Sequence, residues 1–568
     1  MGGVIIAANR LVRNTLLLIF ISMSAYGQEY SLTLNVSDKE TKDPLGSVTV
    51  IIDPCNCGGI SNPSGIFSKR LKADTYTLSI EYLGYRKEDL TIVLDKNITL
   101  DVAMETEEEQ LSEIIVLAQK RNQNVESAQM GVFELNARDL IKIPTALGEF
   151  DVLRSITLMA GVNNSGDISN GVSIRGGSLD QNLMLFESAP VFNPTHLFGL
   201  FSVFTPDVIS GVNIYQANIP AKYGGRIASV VDIKVKSPYT DKFRLEGGVG
   251  VISSRLSIST PIIKDKLMLL AGGRIGFTDF LFPLLIPRLK NTKANFKDST
   301  VKLLYLPNEN NQLTYTYFYS QDFYQLDLIS SIENIVSSSN QYDFGTSNHT
   351  LKWLHSFDNT TNLIGTFVHS NYLPQNLFPE IESTNVIKYE SQIQYTNAQF
   401  EFKDNRNEKL NYYAGLQFNQ YNINPGSLNP GSGNSILAVN LKDEKSRELS
   451  LYANLNWNPT ERLSVSSGLR YTHFALLGPF KQGQYDDSGS FLGVRDFSSS
   501  ETVVNYSKPE PRLGINYKVG ENSAIKASYA RIYQYIQNIY NTSTPLPTSR
   551  WKMSDTFIRP QKNDTYGL

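Results

Sequence analysis

The chain has 568 residues, of which 19% are charged and 11% aromatic, and its net charge is -3. That length is too great for one ordinary domain. The charge content is low for a soluble enzyme, and the balance offers no general attraction to nucleic acid. The only two cysteines, Cys55 and Cys57, cannot build a disulfide framework.

Residues 1–27 read as a signal peptide. Arg10 and Arg13 supply a positive start, Leu16 to Ile21 an apolar core, and Ala25-Tyr26-Gly27 small residues for cleavage before Gln28. The apolar run falls well short of the ~20 residues that a spanning helix needs. Export follows, and no later segment is suited to halt it as a helix.

Residues 28–104 read as a small β-sandwich. Ser31 to Val36 and Tyr76 to Ile80 alternate with period two, and Asn62-Pro63-Ser64-Gly65 is a turn cluster. Through Ser64-Gly65-Ile66-Phe67 and Tyr82-Leu83-Gly84-Tyr85 the segment resembles the carboxypeptidase-regulatory-like, transthyretin-type domain. That resemblance covers an accessory fold and implies no peptidase chemistry. The five histidines (His196, His349, His355, His369, His473) stand in neither His-x-x-Glu nor His-Glu-x-x-His spacing. Cys55 and Cys57 are open to three readings: a metal chelate, a strained local disulfide, or a structural feature of one loop. The last is preferred, because no other thiol or nearby His completes a metal site.

Residues 105–128 form a linker. Glu105, Glu107, Glu108 and Glu109 make a solvated acidic run. The β-prone segment Leu111-Ser112-Glu113-Ile114-Ile115-Val116-Leu117-Ala118 follows, with no obvious partner strand in either flanking domain. An extended segment with open backbone groups is available for capture by another protein's sheet edge. It also reads as the last strand of one domain or the first of the next.

Residues 129–238 form a compact α+β unit. Leu147 to Met159 carries apolar residues near helical spacing and is ended by Ala160-Gly161-Val162. Short apolar runs bounded by Gly, Pro or Asn then follow one another from Gly171 to Lys236. Four motifs stand in order here: Ile174-Arg175-Gly176-Gly177, Asp180-Gln181-Asn182-Leu183, Asn193 to Gly199, and Tyr223-Gly224-Gly225-Arg226. In these motifs the unit closely resembles the plug domain of TonB-dependent outer-membrane transporters. Glu187 stands where that family usually has Asp, and Gln216-Ala217-Asn218 replaces a Lys-Gly-Gly type of turn. The resemblance implies that Leu111, Glu113, Ile114, Ile115 and Val116 belong to a TonB box, the peptide grasped by an inner-membrane coupling protein. The plug motif is then Arg175, Gly176, Gly177, Tyr223, Gly224, Gly225 and Arg226. Arg175 and Arg226 are expected either to meet inward wall carboxylates, for which Glu401 and Glu448 have the right parity, or to be solvated. His196 is a weak candidate for touching a solute, with a packed or hydrogen-bonded role preferred.

Residues 239–568 read as hairpins of a barrel. Leu449, Leu451, Ala453, Leu455 and Trp457 share one face of a strand, while Ser450, Asn454 and Asn456 share the other. Leu313, Tyr315, Tyr317 and Tyr319 likewise share a face. Short polar turns recur at Asn308–Asn311, Asp358–Thr360, Arg406–Glu408, Pro459–Glu461 and Gly520–Asn522. Long Gly/Ser/Asn-rich loops lie between them, at Asn424–Glu444 and Gly478–Asn505. Short turns on one rim and long loops on the other describe an outer-membrane barrel. About fourteen strand starts precede Leu568, against the ~22 of plugged transporters. The expectation is therefore a chain truncated within its barrel, lacking roughly eight strands.

The fold class expected is mainly β: a small sandwich, an α+β plug, and an incomplete transmembrane antiparallel β-barrel. The resemblance implies a non-enzymatic receptor of the cell outer membrane with a periplasmic N-terminal domain. It imports a scarce solute, whether siderophore, glycan or peptide, by TonB-driven plug displacement. The alternatives are a surface-binding receptor or adhesin without transport, a non-functional barrel fragment, and a peptidase suggested only by the N-terminal fold. The partners implied are TonB with its energising complex, outer-membrane lipid and an extracellular solute. A surface lipoprotein, found with some relatives, is left open, and no cofactor, metal or nucleic acid is expected.

Overall fold

The computed structural model describes residues 29–568, except 40, 54, 56, 83–84, 86, 106–124, 126, 138–150, 165–170, 280–290, 327–330, 333–334, 337–338, 359, 382, 408, 434–435 and 540–549. The chain divides into two compact units, Met1–Glu108 and Glu109–Leu568. The signal-peptide residues, the box residues Leu111 to Val116 and the start of the expected helix, 147–150, lie outside the described residues.

The first unit is a two-sheet sandwich. One sheet has Glu29–Asp38 at its centre, antiparallel to Ile66–Lys72 and parallel to Ile98–Met104. The other runs Cys57–Ile60, Thr49–Asp53, Asp74–Glu81, Glu88–Leu94. Period-two alternation makes the core: Leu32, Leu34 and Val36 of one sheet meet Val50, Ile52, Leu78 and Ile80 of the other. The Tyr85 hydroxyl donates to Asp38 at 2.5 Å, and that carboxylate also accepts the Thr41 amide at 2.8 Å. Cys55 and Cys57 are joined by a disulfide, the second of the three readings and not the preferred one.

The second unit is a large antiparallel wall with a smaller inner unit packed on one face. The wall is a 15-stranded sheet whose main path holds fourteen strands, from Arg244–Val249 to Gln561–Gly567. Among the described residues no pairing joins those two edges. Neighbouring wall strands are sequence neighbours, and they reach 22 residues in Val386–Asn407. One rim has tight connections: residues 309–310 link Lys293–Asn308 to Asn311–Leu326, and residues 521–522 link Thr502–Gly520 to Ser523–Gln534. The opposite rim carries the long connections, such as residues 478–501. That stretch is not all loop, since it contains the hairpin Phe480–Tyr485/Phe491–Phe497.

The polarity of the wall is inverted. In Glu444–Trp457, Glu444, Ser446, Glu448, Ser450, Tyr452 and Asn454 are buried, while Leu449, Leu451, Leu455 and Trp457 are exposed. Leu469, Leu513, Ile515, Leu416 and Ile525 continue that exposed apolar surface over neighbouring strands. An apolar surface of this extent is unstable in water and stable in lipid. The polar face instead meets the inner unit.

The inner unit has a five-stranded mixed sheet: Ala189–Pro190, Asn182–Phe186, Ser229–Val235, Ile209–Tyr215, Val132–Asn136. Asn182–Phe186 runs parallel to Ser229–Val235 and the other pairs are antiparallel. The described helix is Val152–Ile156, shorter than the apolar spacing of Leu147 to Met159 suggests. Asp151 caps it by accepting the Arg154 amide at 2.9 Å. The chain turns away after Ile156 and reaches Gly161 at φ +78°, a left-handed conformation that glycine tolerates best. The core joins Val152, Ile156, Phe204, Ile214 and Val231 to Leu270 and Phe318 of the wall.

Candidate functional site

The chemistry of the molecule is concentrated where the inner unit meets the polar face of the wall. Three clusters hold that interface, each built from residues distant in sequence.

The first surrounds the turn Tyr223-Gly224-Gly225-Arg226. Arg512 of the wall donates to the carbonyls of Ile219 (2.7 Å), Pro220 and Tyr223 (2.7 Å). Its own carboxylate partner is Glu510 at 3.2 Å. Arg470 adds bonds to the carbonyls of Lys222 (3.3 Å) and Ala221 (3.5 Å). Both guanidiniums are about 2% exposed. A planar fork of donors suits a row of carbonyl oxygens. Gly224 is required by this closeness, because a Cβ there would lie 2.5 Å from Arg470 Nε. Gly225 has φ +80°, which completes the turn.

Beside this turn lies a cavity of about 220 Å³. Lys222, Arg226, Lys234 and Lys352 enter it with Asp232, Glu401 and Glu448. Asp232 is held by the Tyr223 hydroxyl at 2.8 Å and Lys234 at 2.8 Å. Glu401 accepts the Tyr452 hydroxyl at 3.0 Å and Glu448 accepts Asn419 Nδ2 at 3.1 Å. Arg226 shares the cavity with both glutamates, but among the described residues no ion pair within 4 Å joins them. Its guanidinium lies over Trp551, 5.4 Å from the ring centre. Burial lowers the Lys222 pKa, against the pull of Glu401.

Arg175, the other motif arginine, is exposed with φ +52°, and its amide donates to the Gly161 carbonyl at 2.8 Å. It makes no ion pair among the described residues. Gly176 follows at φ +73°, and Gly177 packs so closely on Ala228 that a Cβ would come within 2.4 Å of its methyl.

The second cluster centres on Glu187, which occupies the tip of the hairpin Asn182–Phe186/Ala189–Pro190 with φ +49°. It meets Lys302 at 3.2 Å and Lys352 at 3.5 Å, and accepts the Val235 amide at 2.8 Å. Burial opposes its charge, yet the lysines and the amide win and hold its pKa well below the ordinary range.

The third cluster centres on His196, which has no exposed surface. Nδ1 lies 2.7 Å from Asp322 and Nε2 2.6 Å from Asp298, both on the wall. Arg274 binds the second oxygen of Asp298 through Nε (2.9 Å) and Nη2 (2.7 Å), and donates to the Ser202 carbonyl at 2.5 Å. Both ring nitrogens of His196 are therefore engaged, which leaves neither for a solute.

The sequence singled out one partner of each contact at best. Arg470 and Arg512 were missed, although both are charges on the inward face of alternating strands. That is the one signal by which they could have been found.

A wall with one apolar face, one polar face and a unit packed on the polar face has the architecture of a membrane protein of the β-barrel type. Comparison with known proteins gives the kind. Residues 287–568 match the family described as TonB dependent receptor-like, beta-barrel. Residues 35–117 match the CarboxypepD_reg-like domain. The chain thus combines a TonB-dependent receptor-like barrel domain with a CarboxypepD_reg-like domain. TonB-dependent receptors are outer-membrane transporters, not enzymes.

Among solved structures the chain is similar to a mutant ferric enterobactin receptor, PfeA, from Pseudomonas aeruginosa (14% identity, TM-score 0.51, 74% of this chain and 64% of that one). It is similar to the copper transporter OprC (10%, TM-score 0.53, 71% and 65%). It also resembles the siderophore receptor PirA from Acinetobacter baumannii (15%, TM-score 0.52, 79% and 68%). At these identities the likeness is one of fold. The chain spans 64% and 65% of the length of the first two. No curated protein sequence matches it. No helix among the described residues is long and apolar enough to cross a membrane, which says nothing about crossing by strands.

Proposed function

We propose that this protein imports a scarce solute across the outer membrane, with the inner unit acting as a plug that TonB displaces. The observation that carries the reading is where the inner unit begins. The Val125 carbonyl accepts Asn516 Nδ2 at 2.8 Å, and Asn516 stands five residues from the tight turn at 521–522. Val125 therefore lies toward the tight-turn rim, which is the periplasmic rim of such barrels. A box at Leu111, Glu113, Ile114, Ile115 and Val116 would be within reach of a periplasmic protein there, and the N-terminal sandwich would be periplasmic too.

In this mechanism solute binds at the long-loop rim. TonB adds the box to its own sheet as a strand and pulls. Arg470, Arg512, Lys302, Lys352, Asp298 and Asp322 are the wall groups that must yield. Exchanging polar contacts for water, they resist less than an apolar seam of equal area would. The solute class (siderophore, glycan or peptide) is set by the long loops. The barrel exterior contacts lipid, and a surface lipoprotein remains a further candidate partner.

The test is binding of the periplasmic domain of TonB to the full chain. Ile115→Pro removes an amide donor and the extended pairing geometry. It is expected to abolish that binding and leave the wall folded. Unchanged binding would refute the box assignment.

A further inference from the structure

We infer that His196 is a cationic latch: an imidazolium that fastens the inner unit to two wall strands and lets go when the ring loses a proton. An ionised carboxylate only accepts hydrogen bonds, and a neutral imidazole has a single N–H. His196 faces a carboxylate oxygen at each ring nitrogen, at 2.7 Å and 2.6 Å. Either the ring carries both protons or one aspartate carries one.

The surroundings decide between these. Asp298 already accepts two bonds from the Arg274 guanidinium, so its role here is that of an acceptor. The Asp322 oxygen facing the ring also accepts the Tyr324 hydroxyl at 2.5 Å. A donor already aimed at that oxygen favours its staying an acceptor. The ring therefore supplies both protons. It also stacks on Phe296, with centroids 4.3 Å apart.

Four charges then cancel in a buried space: His196 and Arg274 against Asp298 and Asp322. Tyr324 and Tyr372 are in reach of Asp322, and on the inner-unit side Asp151 holds the Ser202 amide at 2.7 Å and feels Arg274. Loss of the imidazole proton would leave a ring lone pair aimed at a carboxylate and a net negative charge without solvent. Burial alone would lower the His196 pKa, but the two aspartates outweigh it and raise it to about 9. A raised pKa means that the latch contributes fully below the unfolded value of about 6.5 and is lost as pH climbs through about 9. The inference concerns fastening only and stands whichever solute is carried.

The test uses the full chain in detergent micelles with its five histidines labelled with 15N. One histidine is expected to keep the imidazolium signature at pH 8, lose it near pH 9, and vanish in His196→Gln. Hydrogen exchange supplies the second reading. After correction for intrinsic rates, opening of residues 195–203 should rise by up to ten-fold per pH unit between about 6.5 and 9 and level off above that, while residues 229–235 stay protected. Five neutral rings at pH 8 would overturn the inference, as would an imidazolium signature persisting in His196→Gln. A titration without any rise in opening of 195–203 would overturn the release. The wild-type titration needs no variant to fold.

Discussion

Arg512→Met is the sharpest probe of how the inner unit is held. Methionine keeps much of the side-chain volume and loses the fork. Three carbonyls, of Ile219, Pro220 and Tyr223, lose their donor, and Glu510 keeps a buried carboxylate without its partner at 3.2 Å. Removing one partner from a buried pair costs about 3–5 kcal/mol, largely through the group left behind. Since 1.36 kcal/mol is a factor of ten, local opening of the turn should rise by roughly 10² to 10³ or more. Hydrogen exchange of the amides at 221–228, followed by mass spectrometry on the protein in micelles, reads that change directly. The interior wall strands, paired on both sides, should be unaffected. A change of less than about five-fold would refute the claim that Arg512 fastens the turn, because that is below the cost of even one lost charge-assisted bond. Arg512→Lys should fall between, since an ammonium cannot span three carbonyls.

Further outcomes follow from other parts of the molecule. Gly224→Ala should weaken the same clasp by about 1–3 kcal/mol, because the new methyl must displace Arg470, and exchange at 221–228 should report it. Leu451→Arg, at a position 58% exposed on the apolar face, should cost about 2–4 kcal/mol in denaturant unfolding from bilayers, and no loss would argue against a membrane-facing exterior. Replacing Cys55 and Cys57 by Ser opens a ring of only three residues, so loop entropy predicts a loss of only ~1.6 kcal/mol from the sandwich. Glu187 is held ionised by Lys302 and Lys352, so its contribution is present above pH ~4.3 and fades only as pH falls through its depressed pKa. Exchange of residues 183–190 should therefore stay slow at pH 4.

The wall was legible in the sequence because its strands alternate cleanly and its tight turns are polar. The five short turns named from sequence all fall on the tight-turn rim. The face assignment was legible too, as in Leu449 to Trp457. The fastening contacts were not. Arg512 binds backbone carbonyls, and every residue has one, so no residue type marks the target. His196 lies 126 and 102 residues from its two aspartates, and no local pattern links them. Arg226 was expected to pair with a glutamate or with solvent, but it lies over Trp551 in the cavity that Glu401 and Glu448 also line. The described helix starts at its Asp151 cap, and after Ile156 the backbone continues in i→i+3 bonds, from the Leu158 amide to Ser155 and the Met159 amide to Ile156, a tightening that apolar spacing does not reveal. The hairpin at 480–497 was hidden by a composition that also suits loops.

The inside-out polarity of the wall bears on how the molecule is made. A strand such as Glu444–Trp457 gains nothing by collapsing in water, since its apolar side chains stay uncovered in the finished fold. Its pairing becomes favourable only when hydrocarbon is present to receive them. Until then the chain is an aggregation hazard that must be kept apart by escorts. The inner unit draws Leu270 and Phe318 of the wall into its own core. Its final packing must therefore wait for the strands that carry them, so insertion into lipid times the assembly of the part that never touches lipid.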